Sequence, residues 1–573
     1  MNTIEILESR IAPATIVVTN NLDNGPGSLR AALALADDPS THPGHDTIAF
    51  HFPPMDISNG ATIIYLTTGA LTSKGNVTII GPGPGRLIID GTYSDRVFDF
   101  DDGSNSGPTA TDSPIAISGL SIINGKTSGS GGGIYSTESL TLKNVVISGN
   151  IAGINGGGVS AGAEDNLVKV AISGSLITGN SAANVGGGLN LFSLKSLNFT
   201  RSTIIDNVDT STIHGAGGVY AGLSSTGAGM TISGCQISGN TADHGGGVFI
   251  TSYNPAPKAR MTISASTISG NTAAGKGQGG GGLYIEFGNA VVTRSSILEN
   301  SSVYNGGGIE ANGFASLTIS ACTISGNSTS MPTSGQGGAG LYILGASTSL
   351  LPVKITGTLI DGNRTAAVGS NGGGISAGGG IALTISSSSI FGNSCGSRGG
   401  GIYTSGEGAG KVNLVVNGGT ISNNFADQDG GGLLTNGSGS VFITGSKVTG
   451  NHVSSECGGG LYFTTTAPVI LKNVVATGNF GVAGGGLYFV ATPDFQVIGG
   501  SFSGNDAYRG AGIYATGSGG SILGVTIFDN AATLQGGGLF EVDSDNDITL
   551  HLTKITGNTA PTGPNTYGKF LGP

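Results

Sequence analysis

Fifteen asparagines recur between Asn150 and Asn558 at a mean period of about 29 residues, each three positions after an apolar side chain. They are Asn150, Asn180, Asn207, Asn240, Asn271, Asn300, Asn327, Asn363, Asn393, Asn424, Asn451, Asn479, Asn505, Asn530 and Asn558. Ile147, Ile297 and Ile421 exemplify the residue three before, and Leu142, Val292 and Val416 the one eight before, which is also apolar. A glycine triplet, an aliphatic residue and often an aromatic one open each repeat, as in Gly399-Gly400-Gly401-Ile402-Tyr403. A register held over most of the chain argues against several independent globules and for one structural unit stacked on its own copies.

Apolar and polar residues alternate within each repeat over runs too short for helices, as in Leu317-Thr318-Ile319-Ser320. Such alternation is a strand with one buried face. The expected fold class is therefore all-β: a single coil of three short strands per turn, each strand paired in parallel with its equivalent one turn on. Parallel crossovers favour the right hand. Ser28 to Ala36 predicts a short capping helix, with Ser28 as N-cap and Leu29, Leu33 and Ala36 on one side. The expected organisation is a leader at 1–14, an N-terminal cap at 15–60, irregular first coils at 61–130, regular coils at 131–558 and a proline-bearing C-terminal tail at 559–573.

Composition narrows the function classes. The 108 glycines have no three-residue period, which excludes collagen. Charged residues are 10 % of the chain, so Ser, Thr, Asn and Gly carry most of the polar surface. A net charge of −11 with scattered Lys and Arg argues against nucleic acid and anionic membrane surfaces as partners. No apolar run is long enough for a transmembrane helix, and Met1 to Arg10 has no secretory-signal pattern. Cys235 and Cys322 fall three coils apart, too far for a bridge, and Cys395 and Cys457 occupy different turn positions, so four free thiols are expected.

With Ile324-Ser325-Gly326-Asn327 and Gly399-Gly400-Gly401-Ile402 as its clearest motifs, the stretch from about residue 115 to 560 resembles right-handed parallel β-helix proteins of the pectin-lyase-like class. More closely, it resembles the polymorphic outer-membrane protein repeat family. Asn21-Leu22-Asp23-Asn24-Gly25-Pro26-Gly27-Ser28-Leu29-Arg30 resembles an N-terminal motif of large bacterial surface β-helix proteins, with Gly27 where that motif has cysteine. Leu7-Glu8-Ser9-Arg10-Ile11-Ala12-Pro13 is similar to their leaders. These resemblances imply an extracellular or cell-surface address. The polygalacturonase-like sequence of motifs is not present in order, so that activity does not carry over.

The asparagine column reads as a structural ladder, since amides stacked at strand spacing can bond from coil to coil. The residue after the triplet's aliphatic is aromatic at Tyr135, Tyr220, Phe249, Tyr284, Tyr342, Tyr403, Tyr462, Tyr488, Tyr514 and Phe540. Alternation aims this column outward, as a stripe that either stacks to stabilise the sheet or binds glycans or a partner. For an enzyme the candidate cluster is His214, Asp243 and His244, because a His–carboxylate pair can hold a general base or a metal. Solvated loop residues are the plainer reading. Arg398, Asp429 and Cys457 occupy one place in three consecutive coils, with Arg398 and Asp429 as an exposed ion pair worth at most about 1 kcal/mol. Asp543, Asp545 and Asp547 imitate half a calcium loop, but Ile548 and Lys554 stand where Gly and Glu are needed.

The function expected is a non-enzymatic surface β-helix, structural or adhesin-like, about 80 to 90 Å long at strand spacing. The alternative is a polysaccharide lyase or glycosidase. No cofactor is expected, calcium being adventitious or stabilising at most. Expected partners are polysaccharides or surface components, and uncapped strand edges leave end-to-end self-association open.

Overall fold

The computed structural model describes residues 14–52, 60–103, 112–162, 167–212, 215–224, 228–252, 259–275, 279–286, 288–330, 337–345, 349–406, 410–542 and 547–572. They fall into two compact units, Met1–Gln236 and Ile237–Pro573. In the first, Thr15–Val18 pairs with Asp46–Phe50, then in turn Val77–Ile80, Ile115–Ser118 and Leu140–Lys143, all in parallel. The lengths between these strands vary, which hides the period in this part of the sequence. Register survives nevertheless, and Ile79, Ile117 and Leu142 stack fully buried.

The second unit repeats this plan more evenly. Ile297, Ile324, Ile360, Ile390, Ile421, Val448 and Ala476 are register partners from coil to coil, all buried. Each full-sized aliphatic withdrawn from water in this way stabilises the coil by about 2 kcal/mol before entropy is counted. Besides the three strands, a two-residue strand follows the asparagine, as where Thr272–Ala273 pairs with Ser301–Ser302. Two residues are too few for alternation to show in sequence.

The asparagine side chains point into the coil, where they are almost wholly buried. In the second unit Asn393 donates from both its backbone N–H and Nδ2 to Oδ1 of Asn424, each at 3.0 Å. Asn424 then donates from Nδ2 to Asn451 Oδ1 and to the Ile390 carbonyl, also at 3.0 Å. The Asn424 amide thus accepts two bonds and donates two, which leaves none of its buried polar atoms unsatisfied. In the first unit Asn150 receives the Gly125 N–H at 2.8 Å. In the second, Asn558 donates to Asn565, an amide only seven residues on and therefore off the repeat period.

The helix Leu29–Ala36 buries Leu29, Ala32, Leu33 and Ala36, and Ser28 Oγ accepts the Ala31 N–H at 3.2 Å. Arg30 and Asp23 tie it to the coil: Arg30 donates to Asp23 Oδ1 and to the Gly69 carbonyl, each at 2.7 Å. Asp23 Oδ2 also accepts the N–H groups and hydroxyls of Thr67 and Thr68. Gly27 has φ +79°, and a Cβ there would run into the Thr19 hydroxyl. Burial would raise the Asp23 pKa, but Arg30 and the threonine donors outweigh it and hold the carboxyl well below its usual range. Its contribution is therefore complete above about pH 4 and is lost as pH falls further. Melting curves from pH 6 to pH 2 should show Asp23→Asn less stable at pH 6 and losing less than wild type on acidification.

Among the described residues, no helix is long and apolar enough to cross a membrane. All four cysteines are free thiols.

Candidate functional site

The aromatic column is where sequence and structure part company. Alternation does put it on the outer face of its strand, but that face is largely covered. Tyr284 is wholly buried, Tyr220, Phe249, Tyr403, Tyr488, Tyr514 and Phe540 are nearly so, and Tyr135, Tyr342 and Tyr462 are half-buried. The chain turns back through the glycine triplet and lies against these rings. A Cβ on Gly458, Gly484 or Gly536 would sit 2.6–2.7 Å from the Cβ of Tyr462, Tyr488 or Phe540. Cys457 and Ala483, just before their triplets, pack against the cluster of Tyr488, Tyr514 and Phe540.

The covered rings stack on one another. Tyr462 to Tyr488 is 5.1 Å between centroids, Tyr488 to Tyr514 and Tyr514 to Phe540 are 4.7 Å, and Tyr567 continues the stack at 5.0 Å. Stacking of this kind adds about 1 kcal/mol per pair beyond burial. Burial also raises the hydroxyl pKa of Tyr462 and Tyr488. In the first unit the Arg96 guanidinium lies 4.9 Å from the centre of the Tyr135 ring.

Some coils break the column. Glu310 pairs with Tyr284 on one side and Tyr342 on the other, buried in an aromatic position. It accepts the Gly279 N–H and an Asn312 Nδ2 hydrogen, each at 2.6 Å. Burial outweighs those donors and pushes its carboxyl up to about 7, and burial, with Glu310 adding to it, raises Tyr342 to about 12. A carboxyl raised on folding stabilises most in acid: the contribution is full below its ordinary 4.5 and is lost as pH rises through 7. Thermal melts between pH 4.5 and 8 should show a stability decline in wild type that is reduced in Glu310→Gln.

Of the catalytic candidates, His214 lies outside the described residues. His244 and Asp243 do meet, Nε2 to Oδ2 at 3.6 Å, but His244 is buried. Its ring packs 6.4 Å from Phe249 and 6.2 Å from Tyr284, so the pair belongs to the covered column and not to an open cleft. Arg398 Nε meets Asp429 Oδ2 at 3.2 Å, and here the expected exposed pair is only half exposed. Asp429 is buried beneath a partly exposed Arg398 and accepts the Cys457 N–H at 3.1 Å. Burial, and then Glu456, raise the Asp429 carboxyl against that N–H and Arg398. Asp543 and Asp545 lie outside the described residues. Among the described residues no three His, Cys, Asp or Glu side chains are placed to hold a metal ion.

A cleft in the first unit escapes a reading based on repeats. A cavity of about 420 Å³ is lined by Asp37, Thr72, Ser73, Lys74, Asp99, Asp101, Asp102 and Gly103. Behind it Ser113 donates through its N–H to Glu138 Oε2 at 2.7 Å and through its hydroxyl to Asp102 Oδ2 at 3.2 Å. Glu138 is fully buried, and burial, with Asp102 and Asp112 adding to it against the Ser113 N–H, pushes its carboxyl up to about 7. Asp99 is raised as well, mainly by burial. These residues belong to irregular coils, and their signal was the density of acids at Asp95, Asp99, Asp101 and Asp102 in a chain poor in charge.

A family model described as a right handed beta helix region matches residues 211–417. The chain is a right-handed parallel β-helix repeat protein. No curated protein and no solved structure matches it. The β-helix family includes both pectate lyase-like enzymes and proteins that catalyse nothing, so catalysis has to be argued from this β-helix's own side chains.

Proposed function

We propose that this β-helix is a non-enzymatic scaffold of an extracellular or cell-surface kind, structural or adhesin-like, whose partners are glycans or other surface components. The observation that carries this reading is how fully the repeated polar and aromatic residues are used internally. The asparagine amides bond to one another, and the aromatic rings stack beneath the glycine turns. His244 is packed among rings. What repeats here serves cohesion, and evolution of a binding face would act on the breaks in the pattern.

A polysaccharide-active enzyme is the second reading, favoured by the acidic cleft of the first unit. There the buried Glu138, its carboxyl pushed up to about 7 chiefly by burial, is bridged to Asp102 through Ser113 and to Asp101 through Thr137, and hydrolysis of glycosidic bonds uses carboxyls of such unlike character. Incubation with neutral and acidic polysaccharides, with calcium present, separates the two. Absence of new reducing ends and of unsaturated products supports the scaffold. Turnover abolished by Asp101→Asn or Asp102→Asn establishes the enzyme.

A further inference from the structure

The short strands that follow the asparagines form a sheet of their own, and in the second unit its outward face carries a knob and a hollow three coils apart. Phe425, His452 and Phe480 are successive register partners there, and their rings stack at 5.7 and 4.6 Å between centroids. The stack ends in a projection: Phe480 is 40 % exposed and Val482 38 %, and one coil on stand Asp506 and the half-exposed Tyr508. In the other direction Ser394 comes one coil before Phe425, and Arg364 one coil before Ser394. Ser394 and Gly396 have little bulk, and a hollow of about 290 Å³ lies over them, walled by Arg364, Phe425 and Asp427. At its rim the strand Arg364–Val368 bulges and leaves Val368, the register partner of Gly396, 84 % exposed. Arg364 and Asp506 are exposed and of opposite sign.

We infer that this face docks on a second copy of the chain, in a two-fold dimer whose coils run antiparallel. A two-fold axis along the strand direction, midway between the Phe425 and His452 coils, keeps each strand position over itself and reverses the order of the coils. Phe480 then falls on Ser394 of the second copy and Val482 on its Gly396, so the knob of each copy enters the hollow of the other. Arg364 falls on Asp506 and Val368 on Tyr508, and Phe425 meets His452. Every contact occurs twice, and in these two columns no like charges face each other. Sliding the copies by one coil destroys the match. One way, Asp427 meets its own counterpart and Arg364 meets Phe480; the other way, Arg364 meets Ala531 and Asp506 meets Ser394, which covers both charges without a partner. Complementarity of charge and shape within one face therefore selects a second copy as the occupant. Five coil steps make the face about 24 Å long, and roughly 400 Å² per copy is about half of a standard interface, so the dimer is weak. The inference goes beyond the scaffold reading and adds lateral pairing through the second unit.

The test is sedimentation velocity of the full chain from about 5 to about 500 µM, with a melting curve of each variant as the check on folding. Wild type should dimerise with a Kd on the order of 100 µM. Arg364→Asp or Asp506→Arg alone should weaken the dimer about tenfold, because each sets like charges opposite one another twice. The double variant Arg364→Asp with Asp506→Arg should return to within about threefold of wild type. Phe480→Ser should weaken the dimer about tenfold by emptying the hollow. Should Phe480→Ser lower the melting temperature, the charge exchange at two exposed positions still decides. A monomer throughout the range, a dimer that the single charge changes leave intact, or an exchange that fails to restore it overturns the inference. Association that a folded Phe480→Ser leaves unchanged does the same, since contact between coil ends would be indifferent to that ring.

Discussion

Asn424→Ala is expected to destabilise the second unit by about 3 kcal/mol, and Asn424→Asp by more at neutral pH. Alanine deletes four hydrogen bonds at once: two that Asn393 donates to Oδ1, and two that Nδ2 donates to Asn451 and to the Ile390 carbonyl. The groups left behind are buried and out of reach of solvent, which is why the loss exceeds that of an exposed amide. Aspartate still accepts from Asn393 but cannot donate, and it sets a carboxylate against the Asn451 oxygen. Its carboxyl is therefore raised in the folded state, and stability should return as pH falls below that raised value. Urea denaturation of both variants at pH 4.5 and pH 8 tests the pair. A difference between Asn424→Asp and Asn424→Ala that does not shrink in acid would count against the ladder as the cause.

The second large effect separates two reasons for the glycines. Gly432 is the last of a triplet, and a Cβ there would lie 2.5 Å from the Gly460 carbonyl oxygen and 3.0 Å from Asn451 Cγ. Gly445 has φ +60°, but a Cβ there meets nothing within 4 Å. Gly432→Ala should therefore cost about 3 kcal/mol, because backbone and ladder amide must both move. Gly445→Ala should cost about 1 kcal/mol, the price of left-handed backbone alone. Equal losses in denaturant titrations would mean that backbone conformation, and not close approach, explains the triplet.

The coil itself was legible because its cause is local and repeated. Ile147, Ile297 and Ile421 bury one face of a strand, and each asparagine reaches the next at the strand spacing, so period and alternation carry the information. The closing residues were not legible for the same reason. Asn565 ends the amide ladder and Tyr567 extends the ring stack, but both come off the period through a short return of the chain. The acidic cleft of the first unit was hidden likewise: Asp37, Asp99 and Asp102 are brought together by coils of unequal length.

From the sequence alone came the parallel coil, its three strands, its asparagine corner and its capping helix, because each depends on spacing along the chain. Which faces meet water was decided only by the tertiary structure. Alternation says that Tyr488 and Leu487 point opposite ways, but not that Gly458 and Gly484, lacking Cβ atoms, let the preceding segment close over the tyrosine. Exposure is set by what packs from outside the strand, and so the aromatic column became interior.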